Sequence, residues 1–315
     1  MRALLTGAAG FVGSHLAERL VADGFDVVGV DNLSTGRRSN LATLQTNEHL
    51  TLLEADAAQP IPTDGPLDWV LHLASAASPI DYRALPIETL RVNSEGTRHL
   101  LDLAAAKGAR FLLASSSEVY GDPEVHPQPE SYHGNVDPSG PRSVYQEAKR
   151  YAEAITAAYA STRGISVRLA RIFNAYGPRM RPNDGRVIST FVTQALRREP
   201  VTVHGGGGHT RSFQYVSDLV DGLRRLMDVD YRHPLNIGSP AEISVLELAN
   251  LVLKMTGSDS VLSYVEGTSD DPRRRCPDIS LAKSVLGWEP VTPLEEGLRL
   301  TIDHFRADLV AQRPR

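Results

Sequence analysis

Tyr145 and Lys149 stand four residues apart in a helix-favouring run, Ser143 to Arg163. On a helix, positions i and i+4 share a face. A fixed positive charge near a phenol lowers its pKa, and a tyrosine so tuned can exchange a proton near neutral pH. Removing a hydride from an alcohol requires such a group. The same spacing also fits a core tyrosine beside a solvated lysine, so the pair gains meaning only from its surroundings.

Those surroundings contain a second chemical signal. Gly7-Ala8-Ala9-Gly10-Phe11-Val12-Gly13 lies between an apolar run and a helical one. A glycine turn there lets backbone amides approach a pyrophosphate at a helix N-terminus. The spacing is GxxGxxG, and the strand–turn–helix setting favours a dinucleotide over plain turn chemistry. Asp31 follows Gly13 by 18 residues. An acid at that strand end accepts hydrogen bonds from ribose hydroxyls and repels a 2′-phosphate, favouring NAD over NADP. Arg37 and Arg38 pull the other way. Asp56 fits either the adenine edge or a helix cap. A third cluster is Ser115-Ser116-Ser117-Glu118. One of its serines could bond a sugar hydroxyl or orient the tyrosine, and Glu118 reads equally as an acid/base group or a salt-bridge partner.

The elements that must bring these groups together alternate. Strands are expected at Arg2–Thr6, Asp26–Asp31, Leu50–Glu54, Trp69–Leu73, Arg110–Ser115 and Ser166–Arg171. Helices are expected at Phe11–Ala22, Ile87–Lys107 and Ser143–Arg163. This rhythm implies an α/β fold, a Rossmann-type doubly wound parallel sheet, with ligands at its carboxyl edge. Beyond Arg171 the pattern changes. A Gly/Pro/Arg-rich loop spans 174–185. Helices are expected at Val187–Arg198, Ser217–Asp228 (capped by Ser217), Ser244–Met255 and Leu294–Phe305, with a strand at Phe213–Val216 and a flexible turn at Gly205–Gly208. The expected division is a dinucleotide domain over 1–172, to which 212–231 returns, and a smaller α/β substrate lobe over 173–315.

Composition bounds the alternatives. The 315 residues are 41% hydrophobic and carry a net charge of −5. That is ample for a large core and disfavours nucleic acid or an anionic membrane as partner. The basic clusters Arg179-Met180-Arg181 and Arg273-Arg274-Arg275 suit a solvated face or a small anionic ligand. The one cysteine, Cys276, excludes an intrachain disulfide. The histidines show no ligand spacing, so no metal is expected. The chain opens almost directly in a strand, so neither signal peptide nor membrane span is expected, and a cytoplasmic location is.

The chain resembles the extended short-chain dehydrogenase/reductases that act on nucleotide sugars, and within them the branch that decarboxylates UDP-glucuronate. The resemblance runs through GFVGSHL at 10–16, DN-x-x-TGR at 31–37, SSSEVYGDPEVHPQ at 115–128, GPR at 140–142, RIFNAYGPRM at 171–180, NDGRV at 183–187, FQYVSDLV at 213–220, DDPRRRCPDI at 270–279 and LGWEPVTPLEEGL at 286–298. It implies NAD as cofactor, held by Gly7, Gly10, Phe11, Val12, Gly13, Asp31, Asn32, Thr35, Gly36, Asp56, Ala57, Leu73 and Lys149. It implies Tyr145 as base, Lys149 as its tuning partner, and Ser117, Glu118 and Arg275 as further catalytic positions. It implies a UDP-sugar substrate held by Ser117, Tyr145, Asn174, Arg186, Val187, Arg211 and Arg275, and a homodimer built from the two long Ala/Leu-rich helices. Related 4,6-dehydratases carry an Asp where Ser117 stands, which argues against dehydration. Ala76-Ala77-Ser78-Pro79 and Ser131–Asn135 depart from the decarboxylase pattern. Two other readings stand beside decarboxylation: an NAD-dependent 4-epimerase of a UDP-sugar or UDP-uronic acid, and a non-catalytic NAD-binding regulator, which the presence of both Tyr145 and Lys149 disfavours.

Overall fold

Apolar runs of four to seven residues, most of them buried on both faces, are satisfied inside a parallel sheet covered by helices. The computed structural model, which describes residues 1–267 and 274–311, forms such a sheet. Its strands are β1 (Arg2–Thr6), β2 (Asp26–Asp31), β3 (Leu50–Glu54), β4 (Trp69–His72), β5 (Arg110–Ser116) and β6 (Val167–Ile172). A seventh, β11 (Pro234–Ile237), pairs with β6 far along the chain. The order is β11-β6-β5-β4-β1-β2-β3, and every pairing is parallel. The order reverses beside β1, so the carboxyl ends of β1, β4 and β5 open onto one crevice.

Helices fill both faces. α1 (Phe11–Ala22) turns Leu16, Ala17 and Leu20 into one core, where α7 (Val216–Asp228) meets it with Leu219, Leu223 and Leu226. α4 (Thr97–Lys107) and α5 (Ser143–Arg163) close the other face. Two short helices, α2 (Pro79–Ala84) and α3 (Pro86–Arg91), precede α4. The helix expected over Ile87–Lys107 is therefore present but not uniform, because a π turn, Val92–Gly96, interrupts it. Its cause is local. Asn93 is fully buried and bonds Ser75 Oγ and the Thr89 carbonyl, while a side chain on Gly96 would meet the Ala57 carbonyl at 2.7 Å.

The second lobe is built from β7 (Ala175–Tyr176), α6 (Val187–Arg197), β8 (Val201–His204), β9 (Thr210–Ser212), β10 (Gln214–Tyr215), β12 (Glu242–Ser244), α8 (Val245–Thr256), β13 (Leu262–Val265), β14 (Arg274–Arg275) and α10 (Leu294–Ala311). Its own core joins Ile188, Phe191, Leu248, Leu298 and Phe305. α9 (Ser280–Leu286), like α7 and β11, packs back on the large sheet. α7 begins at Val216, and its N-cap position, Tyr215, makes no side-chain cap bond. The Ser217 cap is thus incorrect, since Ser217 already lies inside the first turn. Ser244 does cap α8, in a reciprocal capping box with Glu247. The short β14 pairs with β9 at Arg275–Arg211 and carries Arg275 to the crevice. Arg273, and the Asp270-Asp271-Pro272 part of its segment, lie outside the described residues. Among the described residues no helix is long and apolar enough to cross a membrane.

Candidate active site

Three contiguous cavities run along the carboxyl edge of the sheet. The first, about 200 Å³, follows the glycine turn: Gly7, Gly10, Phe11 and Val12 line one end, Asp31, Asn32 and Thr35 the other, with Asp56, Ala57 and Leu73 along the wall. Gly13 and Gly36 do not line it. They act behind it: a Cβ on Gly13 would sit 1.9 Å from the Gly7 carbonyl, and one on Gly36 would sit 2.8 Å from the Asp31 carboxylate. The turn is open to a ligand backbone only because these side chains are missing.

This cavity fits a dinucleotide. Gly7, at φ 73°, lies so close to the Leu73–Ala74 backbone that a Cβ would come within 2.9 Å of it. The α1 N-terminus supplies amides and positive dipole for a pyrophosphate. Asp31 is buried and accepts from the Ala9 and Leu33 amides at 2.9 and 2.8 Å. Burial raises its pKa, and these amides pull it down. Lone pairs remain for ribose hydroxyls. Arg38 is ion-paired with Glu54 at the surface. Asp56 lines the cavity and accepts from the Ala58 amide at 2.9 Å, but it caps no helix, because only a turn follows it before β4.

The second cavity brings together residues expected to react: Ser115, Ser116, Ser117 and Glu118 from the end of β5, Tyr145 and Lys149 from α5, and Arg275 from β14. Tyr145 and Lys149 do share a face, with the ammonium 5.7 Å from the ring centre. The expected tuning of the phenol differs from what burial produces. Burial drives Tyr145 up to about 12, with a hydrogen bond to Ser116 pulling down. Lys149 Nζ donates to the Ala114 carbonyl at 2.9 Å, and burial lowers its pKa to about 7, against the field of Glu153. Desolvation therefore outweighs the pairwise attraction in the protein alone. Within the serine triplet, Ser116 is the residue whose hydroxyl pulls the phenol's pKa down. Ser117 lies buried in the same cavity.

Glu118 settles into one of its two readings. Its carboxylate accepts from Arg275 at 2.5 Å, Arg142 at 2.7 Å and Gln146 at 3.2 Å. Burial opposes its charge, but the two guanidinium groups overrule it and hold the carboxyl well below the usual range. It is a salt-bridge partner, ionised at any physiological pH. Arg275 also donates to the Gly121 carbonyl at 3.2 Å, and is itself buried.

The third cavity, about 540 Å³, lies between the lobes and receives Asn174, Arg186, Val187, Arg211 and Arg275 together. Arg186 lines all three cavities and so stands where they meet. Sequence reasoning passed over Arg83, His204 and His209 on its wall. It also passed over Tyr82, whose ring stacks on Tyr145 at 5.4 Å and 7°. Arg142 was visible only as part of the GPR motif. None of these carries a spacing signal, because tertiary approach alone makes them neighbours.

The comparisons with known proteins agree with this geometry. Residues 3–238 match the NAD dependent epimerase/dehydratase family, and the chain belongs to that family; its cofactor is NAD. UDP-glucuronic acid decarboxylase 1 of Xenopus tropicalis is 52% identical over 99% of this chain and 73% of its own length. UDP-glucuronic acid decarboxylase 4 of Arabidopsis thaliana is 50% identical over 97% of this chain and 69% of its own. Among solved structures, a UDP-glucose 4-epimerase of Thermotoga maritima with UDP-glucose matches at 32% identity and TM-score 0.90, covering 98% of this chain and all of its own. A UDP-glucuronic acid 4-epimerase variant of Bacillus cereus, in complex with a fluorinated UDP-glucuronic acid and NAD, matches at 26% identity and TM-score 0.85, covering 98% and 99%.

The depressed Lys149 predicts a signature in stability. Its folded pKa, about 7, lies below its ordinary 10.5, so the buried ammonium destabilises the fold most below pH 7, and the penalty fades as pH rises toward 10.5. Lys149→Met should therefore raise the melting temperature most at pH 6, with the gain shrinking in alkaline buffer. A gain that is flat from pH 6 to 10 would show that Lys149 is not desolvated.

Proposed function

We propose that this protein decarboxylates UDP-glucuronate to UDP-xylose, with NAD regenerated in each cycle. The reading is supported by the identity of about 50% to UDP-glucuronic acid decarboxylases over nearly the whole chain. The observation that carries it in this chain is the Glu118–Arg275 pair, which borders both the reacting centre and the cavity between the lobes.

Bound NAD supplies reversible hydride acceptance at C4 of the sugar. Tyr145 takes the C4 hydroxyl proton, oriented by Ser116 and served by the Lys149 cation, which favours the phenolate. A ketone at C4 is β to the C6 carboxylate, so the C5–C6 bond can break to release carbon dioxide and leave an enolate. Arg275, fixed by Glu118, offers that developing negative charge a desolvated cation. With NAD bound, C5 would take a proton from water, and C4 would regain the hydride while Tyr145 returns its proton to the C4 oxygen, which completes the pentose. Glu118 is not the proton donor in this scheme, because its carboxyl stays ionised; it holds Arg275 and Arg142. Asn174, Arg186, Val187 and Arg211 bind the UDP portion, and Ser117 contacts the sugar.

A 4-epimerase is the second reading, favoured by the fold match to the Thermotoga maritima epimerase. Products separate the two. Incubation with UDP-glucuronate should release carbon dioxide and a UDP-pentose, and Tyr145→Phe should cut kcat about a thousandfold. UDP-galacturonate as the sole product would establish the epimerase instead.

The protein works in this reading as a cytoplasmic homodimer. The helical faces of α3, α4 and α5 support the dimer, because they lie side by side and leave Ile87, Leu90 and Tyr151 exposed at 60%, 37% and 48%. Sedimentation at micromolar concentration should give twice the chain mass, and a single monomeric species would refute the dimer.

A further inference from the structure

Behind the reacting centre, and lining none of its three cavities, lies a buried ion pair. Arg171 of β6 reaches Glu153 of α5 with two parallel bonds, 3.0 and 2.8 Å long. Both side chains are about seven-eighths covered. Ser115, the residue before Ser116, donates to the same Glu153 oxygen at 2.5 Å. The third Arg171 nitrogen donates to the Tyr120 hydroxyl at 3.0 Å and to the Glu130 carbonyl at 3.1 Å. Tyr120, two residues beyond Glu118, passes the chain on to Asn236 of β11 at 2.7 Å. Asn236 donates to the Gln128 carbonyl, and the Gln128 side chain accepts from the amide of Cys276, the neighbour of Arg275.

A single hydrogen-bonded chain thus begins on the Tyr145 helix, crosses the serine and glutamate turn, and ends beside Arg275. It touches the backbone next to three parts of the site: Glu153 lies on the helix of Tyr145 and Lys149, Ser115 precedes Ser116, and Cys276 follows Arg275. Glu153 also lies one helical turn beyond Lys149, on the same face.

We infer that Glu153 and Arg171 are positioning residues of the reacting centre, a neutral pair that aligns the Tyr145 helix with the Ser116–Glu118 turn and balances the field at Lys149. The inference rests on the reading of Tyr145 and Lys149 as the reacting groups. The pair is well matched to the task. Arg171 is held above its ordinary pKa by Glu153 even against burial, so it stays charged. Around Lys149, α5 contributes Tyr145 and Glu153 and β4 contributes His72. His72 is pressed down to about 3 by burial and by Lys149 itself, and so is neutral. Behind them β6 contributes Arg171, and the Glu118 cluster, with Arg142 and Arg275, lines the cavity. Glu153 is the charge that supports the Lys149 cation, and Arg171 offsets it.

This arrangement makes the two single variants act in opposite directions. Glu153→Gln removes the supporting anion and leaves Arg171 unpaired, so Lys149 loses its proton at lower pH. Arg171→Met leaves Glu153 unpaired, so Lys149 keeps its proton to higher pH. The test is the pH profile of kcat for UDP-glucuronate turnover by the NAD-loaded full chain, with melting curves to confirm folding. The expected result is an alkaline limb shifted down for Glu153→Gln, shifted up for Arg171→Met, and restored toward wild type in the double variant. In each single variant kcat at the optimum falls on the order of tenfold while KM for the sugar nucleotide holds. Should Arg171→Met fail to fold, Arg171→Lys is expected to lower kcat without moving the limb. Limbs that coincide with wild type, or that move the same way in Glu153→Gln and Arg171→Met, would overturn the inference while leaving the decarboxylase reading intact. Absence of UDP-glucuronate turnover by the wild-type chain would instead remove the reading on which it rests.

Discussion

Desolvated charge at the carboxyl end of β5 is the constraint on which this structure depends. An ammonium, a carboxylate and two guanidinium groups are withdrawn from water within one small region, and each is costly there unless paired. Lys149 is held by the Ala114 carbonyl. Glu118 is held by three donors. The strand order brings β5 next to β4 and β6, so the sheet edge supplies a fixed floor for these charges. The second lobe supplies a lid through β14, which delivers Arg275 from 157 residues away. Neither lobe alone completes the cluster.

Desolvation also explains a division of labour. In the protein alone the Tyr145 phenol is a weak acid, pushed up to about 12, and Lys149 sits near 7. The pair is therefore poised rather than switched on. Glu118, by contrast, cannot titrate in the neutral range. In the proposed reading, the pair that exchanges protons and the pair that holds charge are distinct, although all four residues share one cavity. On that reading, the separation lets a scaffold common to epimerases and decarboxylases keep one pair for the redox step while the neighbouring charges decide what happens to the ketone.

Much of the sheet was legible in the sequence because its first six strands are short apolar runs, and amphipathic or Ala/Leu-rich helical stretches separate several of them. β11 was not, since Pro234–Ile237 is only four residues long and owes its strand state to its place beside β6. α2 carries no periodic signal over its six residues, and Ser78 caps it through the Asp81 amide. The site divides in the same way. Gly7, Asp31, Tyr145 and Lys149 carry local spacing that chemistry can interpret. Ser116 could not be separated from its two neighbours in a triplet, and only the backbone turn at Ser116–Tyr120 chooses it. Arg142 and Tyr82 have meaning only through contacts across the fold.

The most direct test of this account is the structure of Tyr145→Phe with NAD and UDP-glucuronate bound. The account predicts the sugar's C4 hydroxyl facing position 145 and the C6 carboxylate end within hydrogen-bond reach of Arg275, with Glu118 still bound to that arginine. A sugar whose carboxylate lies away from Arg275, or whose C4 points away from position 145, would contradict it.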